Sequence, residues 1–262
     1  MGKKIKDRKG DVLFDSYYQT IFQERWPILR EALLAQRQPI AFQQQLKQAY
    51  FLDEASLIAA QLLNVQKGDS VLDMCAAPGG KTLVLASLLE GTGHLTSNDR
   101  SATRRGRLKS VIESHVPDEW KPSITVTGHD ATKWGLYEQQ AYDRILLDAP
   151  CSSERHVLVD PTALKEWTPA RPKHLAIQQF AMLAAALEAV KIGGYILYST
   201  CAINPMEDEL IIEKLFTKRS DRFSIEEIHA SESEQKSYGS IMLPDTSQGK
   251  GPLYFCLIRR VS

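Results

Sequence analysis

Two cysteines stand where an apolar run gives out: Cys151 in LLDAPCSSERH (Leu146 to His156) and Cys201 in YILYSTC. Asp148 lies three residues before the first of them. A cysteine within a strand is ordinarily a small apolar core group, but one just past a strand's end sits where ligand-handling loops gather. Two thiols and a carboxylate in one place suit covalent chemistry, in which one sulfur adds to an electron-poor carbon and a neighbouring group helps to undo the bond. The other cysteines read differently. Cys256 is mid-strand in LYFCLIRR and belongs to the core, and Cys75 opens a Gly-rich turn through its backbone more than its thiol. Four cysteines scattered over 262 residues make no disulfide framework, and no CxxC or Cys/His spacing suggests a metal.

Such residues need elements to place them. Apolar spacing predicts helix over residues 12–48, divided by Pro27 and Pro39, and again over 57–63. From there strands and helices alternate. SVLDMCA is a strand and KTLVLASLL its helix; HLTSND is a second strand, followed by an Arg-rich helix. SITVTGHD and RILLDAP are the third and fourth strands, a helix over 174–190 follows, and GGYILYSTC is the fifth; RFSIEEIH and PLYFCLIRR close the set, the last suited to antiparallel pairing. This alternation implies an α/β fold with a parallel sheet covered on both faces. Residues 1–65 are expected as a small N-terminal helical cap and 66–262 as the catalytic domain. Ligands of such folds sit outside the carboxyl ends of the strands, and every candidate residue falls there.

The turn CAAPGGK (Cys75, Ala76, Ala77, Pro78, Gly79, Gly80, Lys81) joins the first strand to its helix. Small residues let the backbone approach a ligand, and the helix N-terminus adds partial positive charge. It is neither GxGxxG nor a phosphate loop, although GGKT faintly echoes one. Asp99 ends the second strand, where an acid binds ribose hydroxyls. Asp130 ends the third, within reach of an adenine amino group; each is equally a helix N-cap by type. Together they favour an adenosine-containing ligand, either S-adenosylmethionine or a dinucleotide.

With a methyl donor, two thiols and a carboxylate fit one reaction well. Carbon 5 of cytosine is a poor nucleophile until a thiolate adds to carbon 6; the product is then freed by loss of the carbon 5 proton and elimination of the thiol. An acid such as Asp148 would stabilise the charge that develops at ring nitrogen 3. Lys81 would lower a thiol pKa or orient Asp148. The target base must be unstacked to admit a thiol.

VLDMCAAPGGKT, SNDRSATR, DAPCSS and YSTC, in this order, resemble the Nop/Sun family of RNA cytosine-5 methyltransferases over essentially the whole chain. FQERWPILREALLAQ and GPLYFCLIRR resemble its short mitochondrial small-subunit ribosomal RNA branch. The resemblance implies a seven-stranded Rossmann-like class I methyltransferase sheet with its last strand reversed. It implies S-adenosyl-L-methionine as cofactor, Cys201 as nucleophile and Cys151 as the group that aids release. Carried over to the cofactor are the CAAPGGK turn, Asp99, Arg104, Asp130 and Asp148. Ribosomal RNA is the expected substrate, with transfer RNA, or DNA, as alternatives, and a non-catalytic RNA-binding ribosome assembly factor as the alternative of another class.

Many family members follow the PC cysteine with Ser-Gly or Thr-Gly, whereas this chain has Ser152-Ser153. Many also carry an RNA-binding extension or PUA domain that has no counterpart here. Target selection is therefore expected from the catalytic face, the basic opening MGKKIKDRKG or a protein partner, with the chain acting as a monomer. The formal net charge is +0, so only local runs such as RSATRRGRLK (Arg100 to Lys109) argue for phosphate contact. His156 is read as a general base or an RNA contact, and EWTPARPKHL (Glu166 to Leu175) as an RNA clamp or a connector. No apolar run is long enough for a membrane span. Lacking a signal or transit pattern, the chain is expected in the cytoplasm, or in the mitochondrial matrix if a transit segment precedes it.

Overall fold

The strand SVLD is apolar on both faces, as a strand covered from both sides must be, and it lies at the centre of the sheet. The computed structural model describes residues 3–36 and 38–262, with side chains from residue 10 onward. The Lys and Arg side chains of the opening MGKKIKDRK, expected to help select the target, lie outside the described residues. Helices α1 (Lys3–Phe22) and α2 (Trp26–Leu34) come first, then a hairpin of β1 (Ile40–Phe42) and β2 (Tyr50–Leu52), then α3 (Glu54–Leu62). Alternation follows: β3 (Ser70–Asp73), α4 (Gly80–Leu89), β4 (His94–Asn98), α5 (Ala102–His115), β5 (Ile124–Thr127), α6 (Trp134–Tyr137) and β6 (Tyr142–Asp148). Helices α7 (Glu154–Val159), α8 (Pro161–Glu166) and α9 (Ala170–Ala189) lead to β7 (Val190–Thr200) and α10 (Glu209–Arg219). The chain ends with β8 (Phe223–Glu226), β9 (Glu234–Gln235), β10 (Ser240–Met242) and β11 (Leu253–Arg260).

The strands run in the order β5-β4-β3-β6-β7-β11, with β8 and β10 sharing the far edge of β11. Pairing is parallel from β5 through β7, and β11 is antiparallel to β7. This is the expected Rossmann-like sheet with a reversed last strand, to which the short β9 and β10 are added. The strand order reverses between β3 and β6, so the crevice of the fold opens there. Register aligns the ends that matter: Asp148 stands opposite Ser199, and Asp73 opposite Leu146. Helix α4 is buried on nearly every side, which explains why KTLVLASLL carries no polar stripe.

Helix was expected through residue 48, but it stops at Leu34 and residues 40–52 carry the hairpin. Pro39 removes a donor and the β-formers IAF and YFL follow it, which outweighs the apolar spacing. Pro27 lies in the first turn of α2 and starts that helix instead of kinking a longer one. The N-terminal helices share one core with the sheet: Phe14, Tyr18, Trp26 and Trp167 pack together with Leu147 and Tyr198. Ring centroids of Phe14 and Trp167 are 4.9 Å apart and those of Tyr18 and Trp26 are 5.2 Å apart.

Trp167 is 2% exposed, so it is a core group and not a stacking platform for RNA. Its neighbours Arg171 and Lys173 remain exposed at the start of α9. Trp167→Ala is expected to cost roughly 3–5 kcal/mol of stability, read from denaturant unfolding; a loss within experimental scatter would contradict the packing role.

Candidate active site

Glycine is required twice where β3 passes into α4. Gly79 has φ +123, and a Cβ there would meet Val111 Cγ1 at 3.0 Å; a Cβ on Gly80 would meet the Tyr50 ring at 2.9 Å. The turn is pinned from below, since Ala76 N donates to Asn98 O at 2.8 Å. Arg104, on α5, donates to Ala77 O at 2.5 Å and holds the turn from the side. Burial, then Asp73, pushes the Cys75 thiol up, so this cysteine contributes backbone.

Beside the turn lies a cavity of about 650 Å³, lined by Cys75, Asp99, Arg104 and Asp130 together with Asn98, His129, Gln178 and Met182. Asp99 Oδ1 accepts from Ser101 N at 2.9 Å, while the buried Oδ2 has no hydrogen-bond partner among the described residues and faces only the Arg104 guanidinium, 3.4 Å away. An acceptor left open at the end of the second strand is what a ribose hydroxyl would satisfy. Asp130 also caps the turn after β5, where the hydrogen bond from Thr132 holds its carboxyl below the usual range. The residues expected to hold an adenosine therefore converge, and their chemistry fits S-adenosylmethionine.

Three basic residues of the Arg-rich stretch make contacts at this end of the sheet, although Arg100 and Arg104 stay exposed. Arg100 reaches Asp130 at 3.5 Å, Arg104 serves the turn, and Arg105 donates to Asp99 O and Arg100 O, each at 2.8 Å. Arg107 and Lys109 stay exposed and keep the phosphate role open. His156 faces solvent, 3.8 Å from Asp160.

A second cavity of about 200 Å³ adjoins the first through Cys75 and is lined by Ala76, Ala77, Pro78, Gly80, Lys81 and Asp148, with Tyr50, Phe51 and Asp73 opposite. Lys81 Nζ donates to Asp148 Oδ2 at 2.7 Å, and Ser199 Oγ donates to Asp148 Oδ1 at 2.9 Å. Burial by itself would lower the Lys81 ammonium, but Asp148 outweighs it and holds the group above its ordinary value. Lys81 is thus an ammonium in the resting site, paired with Asp148.

The two thiols meet. Cys151 follows β6, Cys201 follows β7, and their sulfurs are 2.9 Å apart. The hydrogen bond from Cys151, with burial opposing and Ser153 assisting, holds the Cys201 thiol below its ordinary value. The same contact, then burial, pushes Cys151 up. With the sulfurs in contact, ionisation of one thiol disfavours that of the other, and Cys201 is the one held lower. Cys256 is fully buried and burial pushes it up to about 12, as its place in the core implies.

Behind the thiols lies a buried polar knot that nothing in the motifs announced. Ser152 N and Gln179 Nε2 donate to Glu207 Oε2 at 2.9 and 2.8 Å, and Ile203 N donates to Glu154 Oε2 at 3.1 Å. Ser152 Oγ bridges both carboxyls. Each loop that carries a cysteine is therefore tied to a carboxyl of the other. The signal in the chain was slight: an acid three residues after Cys151 and another six after Cys201. Asn98, which ties three strand ends through His129 and Met74, gave none.

Burial, then Glu154, raises the Glu207 carboxyl; burial also raises Glu154 and pushes Asp73 up to about 7. A carboxyl raised above its unfolded value, about 4, binds a proton on folding. Its stabilising contribution is whole below that value and is lost as pH rises towards the folded one. Unfolding free energy is expected to fall between pH ~5 and ~8, by at most about 1.4 kcal/mol per pH unit for each group. Glu207→Gln, neutral throughout, is expected to flatten the slope measured by denaturant unfolding; slopes identical in the two proteins would contradict the assignment.

The family model described as 16S rRNA methyltransferase RsmB/F matches residues 60–258. The 5-cytosine rRNA methyltransferase NSUN4 of Bos taurus is 36% identical over 233 residues, covering 81% of this chain and 60% of the relative. The mitochondrial tRNA (cytosine(34)-C(5))-methyltransferase of Danio rerio is 32% identical over 234 residues, covering 82% of this chain and 62% of the relative. The chain thus spans about three-fifths of the length of either curated relative. The structure of NSun6 from Pyrococcus horikoshii with SFG has a TM-score of 0.68 and 26% identity, covering 85% of this chain and 57% of that one.

Proposed function

The chain belongs to the 16S rRNA methyltransferase RsmB/F family, as its motifs led one to expect, and we propose that it methylates carbon 5 of a cytosine in RNA through a covalent adduct at carbon 6. The observation that carries this is the thiol pair at 2.9 Å beside the Lys81–Asp148 ion pair, at the ends of adjacent parallel strands. S-adenosylmethionine, when bound, supplies an electrophilic methyl group on a sulfonium sulfur; an analogue, SFG, accompanies the archaeal relative. Asp99, Asp130, Arg104 and the CAAPGGK turn are the residues that would hold it.

The chain's own groups do the rest. Cys201 Sγ gives an electron pair to carbon 6, and the displaced ring electrons pass toward nitrogen 3 and carbon 5. The Lys81–Asp148 pair holds one transferable proton, which Asp148 passes to nitrogen 3 as charge builds there. Once the Cys201 sulfur is a thioether it no longer raises its neighbour, and Cys151 gives its proton to solvent. After methylation the Cys151 thiolate removes the carbon 5 proton. The C–H pair restores the ring double bond, the carbon–sulfur pair returns to Cys201, and nitrogen 3 gives its proton back to the Lys81–Asp148 pair. One proton is released to solvent per turnover, as the overall reaction demands.

Phe51 is 64% exposed at the rim of the smaller cavity, an aromatic face on which a base next to the target would stack. Ribosomal RNA is the proposed substrate and transfer RNA the alternative, matching the two relatives' names. The cytoplasmic setting expected above gains no support from these relatives; the word mitochondrial in one name favours the matrix alternative. Incubating the protein with S-adenosylmethionine and either small-subunit ribosomal RNA, transfer RNA or matched DNA, then digesting to nucleosides, decides the matter. 5-Methylcytidine is expected from ribosomal RNA, and its absence from both RNAs would refute the proposal.

A further inference from the structure

Ser153 stands at the N-terminus of α7 with φ +54 and ψ +58, and its side chain makes no capping hydrogen bond. Left-handed backbone favours glycine, and a side chain is held there only when its surroundings demand it. Ser152, beside it, serves the buried carboxyl knot through its hydroxyl. The Ser153 hydroxyl does not: Oγ lies 3.3 Å from Cys201 Sγ and 3.4 Å from both Cys151 Sγ and the Cys151 carbonyl oxygen. The strained conformation thus delivers one hydroxyl to the place where both sulfurs meet.

We propose that Ser153 is a third member of the reaction centre, its hydroxyl donating a hydrogen bond to the Cys201 sulfur whenever that sulfur carries negative charge. This rests on the cysteine chemistry proposed above. The charge exists twice: before attack on carbon 6, and again when the carbon–sulfur bond breaks. In that second step the C–H electron pair forms the ring double bond, the proton goes to Cys151 Sγ, and the carbon–sulfur pair returns to Cys201 Sγ. Ser153 keeps its own proton throughout. A donor to a charged acceptor is worth more than one to a neutral group, so the contact favours the thiolate as both nucleophile and leaving group. It also accounts for the Cys151 sulfur and the Ser153 oxygen converging on a single sulfur.

The backbone makes the test clean, because glycine suits this φ better than serine. Ser153→Gly is expected to keep or raise the melting temperature. Alkylation of Cys201 by iodoacetamide at pH ~7, followed by mass spectrometry, is expected to slow by about tenfold to a hundredfold. Its pH profile should move upward, and 5-methylcytidine formation should slow by a similar factor. Ser153→Ala, which lacks the hydroxyl but keeps a side chain, is expected to behave alike. Alkylation and methylation at wild-type rates in both variants, with Cys201→Ser inert, would remove Ser153 from the centre and leave the cysteine chemistry standing. If the wild-type protein forms no 5-methylcytidine, the cysteine chemistry fails instead; the alkylation profile still decides whether Ser153 donates to Cys201.

Discussion

Cys201→Ser is expected to abolish methylation, by at least about a thousandfold in rate, while leaving the fold and cofactor affinity intact. A serine hydroxyl ionises far above neutral pH, so it cannot supply the electron pair that carbon 6 requires. The donors around this position do not rescue it. Cys151 and Ser153 at 2.9 and 3.3 Å stabilise charge on a sulfur that ionises readily, and they gain nothing from a neutral oxygen. Asp99, Asp130 and the CAAPGGK turn are untouched, so calorimetric titration with S-adenosylmethionine should match the wild type. Transfer of a labelled methyl group to RNA measures the loss. A variant that still turned over, or that alone trapped RNA, would exchange the roles of the two cysteines.

Cys151→Ala is expected to do something different: methylate once and stop. Attack by Cys201 still occurs, somewhat slowed because one hydrogen bond to its sulfur is gone. Without the second thiol, whose sulfur lies 2.9 Å from that of Cys201, no thiolate accepts the carbon 5 proton, so elimination becomes the slow step. Multiple turnover is expected to fall by about a hundredfold or more, within the range that a lost general base costs. An RNA–protein species that survives denaturing electrophoresis should accumulate, carrying one methyl group per protein. Alkylating Cys201 beforehand should prevent it. Normal turnover without a trapped species would show that the carbon 5 proton leaves by another route.

How far the chain alone disclosed this differs from element to element. The parallel core was plain, because strands such as SVLD and ILLD carry consecutive apolar residues and strand and helix alternate at short spacing. The N-terminal region misled through residue 48, because apolar spacing in AFQQQLKQAYFL suits helix and hairpin alike and only packing selects between them. Trp167 looked available to RNA by its basic neighbours; burial against Phe14 is a long-range contact that no local pattern contains. The short helices α7 and α8 between the two cysteines went unseen for the same reason.

The chemistry divides in the same way. The types and order of the site residues are written in the chain: a Gly-rich turn, acids after successive strands, and two cysteines after two more. Parallel pairing then obliges those strand ends to lie together, since all point one way along the sheet. What only the tertiary structure decided is which groups touch. The contact between the Cys151 and Cys201 sulfurs, the pairing of Lys81 with Asp148, and the crossed ties from Glu154 and Glu207 all join residues dozens of positions apart or on different loops. Thiol acidity depends on those few ångströms, because hydrogen bonds and local charge act only at contact. So does the place of Ser153, an ordinary residue in the chain whose backbone angle turns its hydroxyl onto the sulfurs.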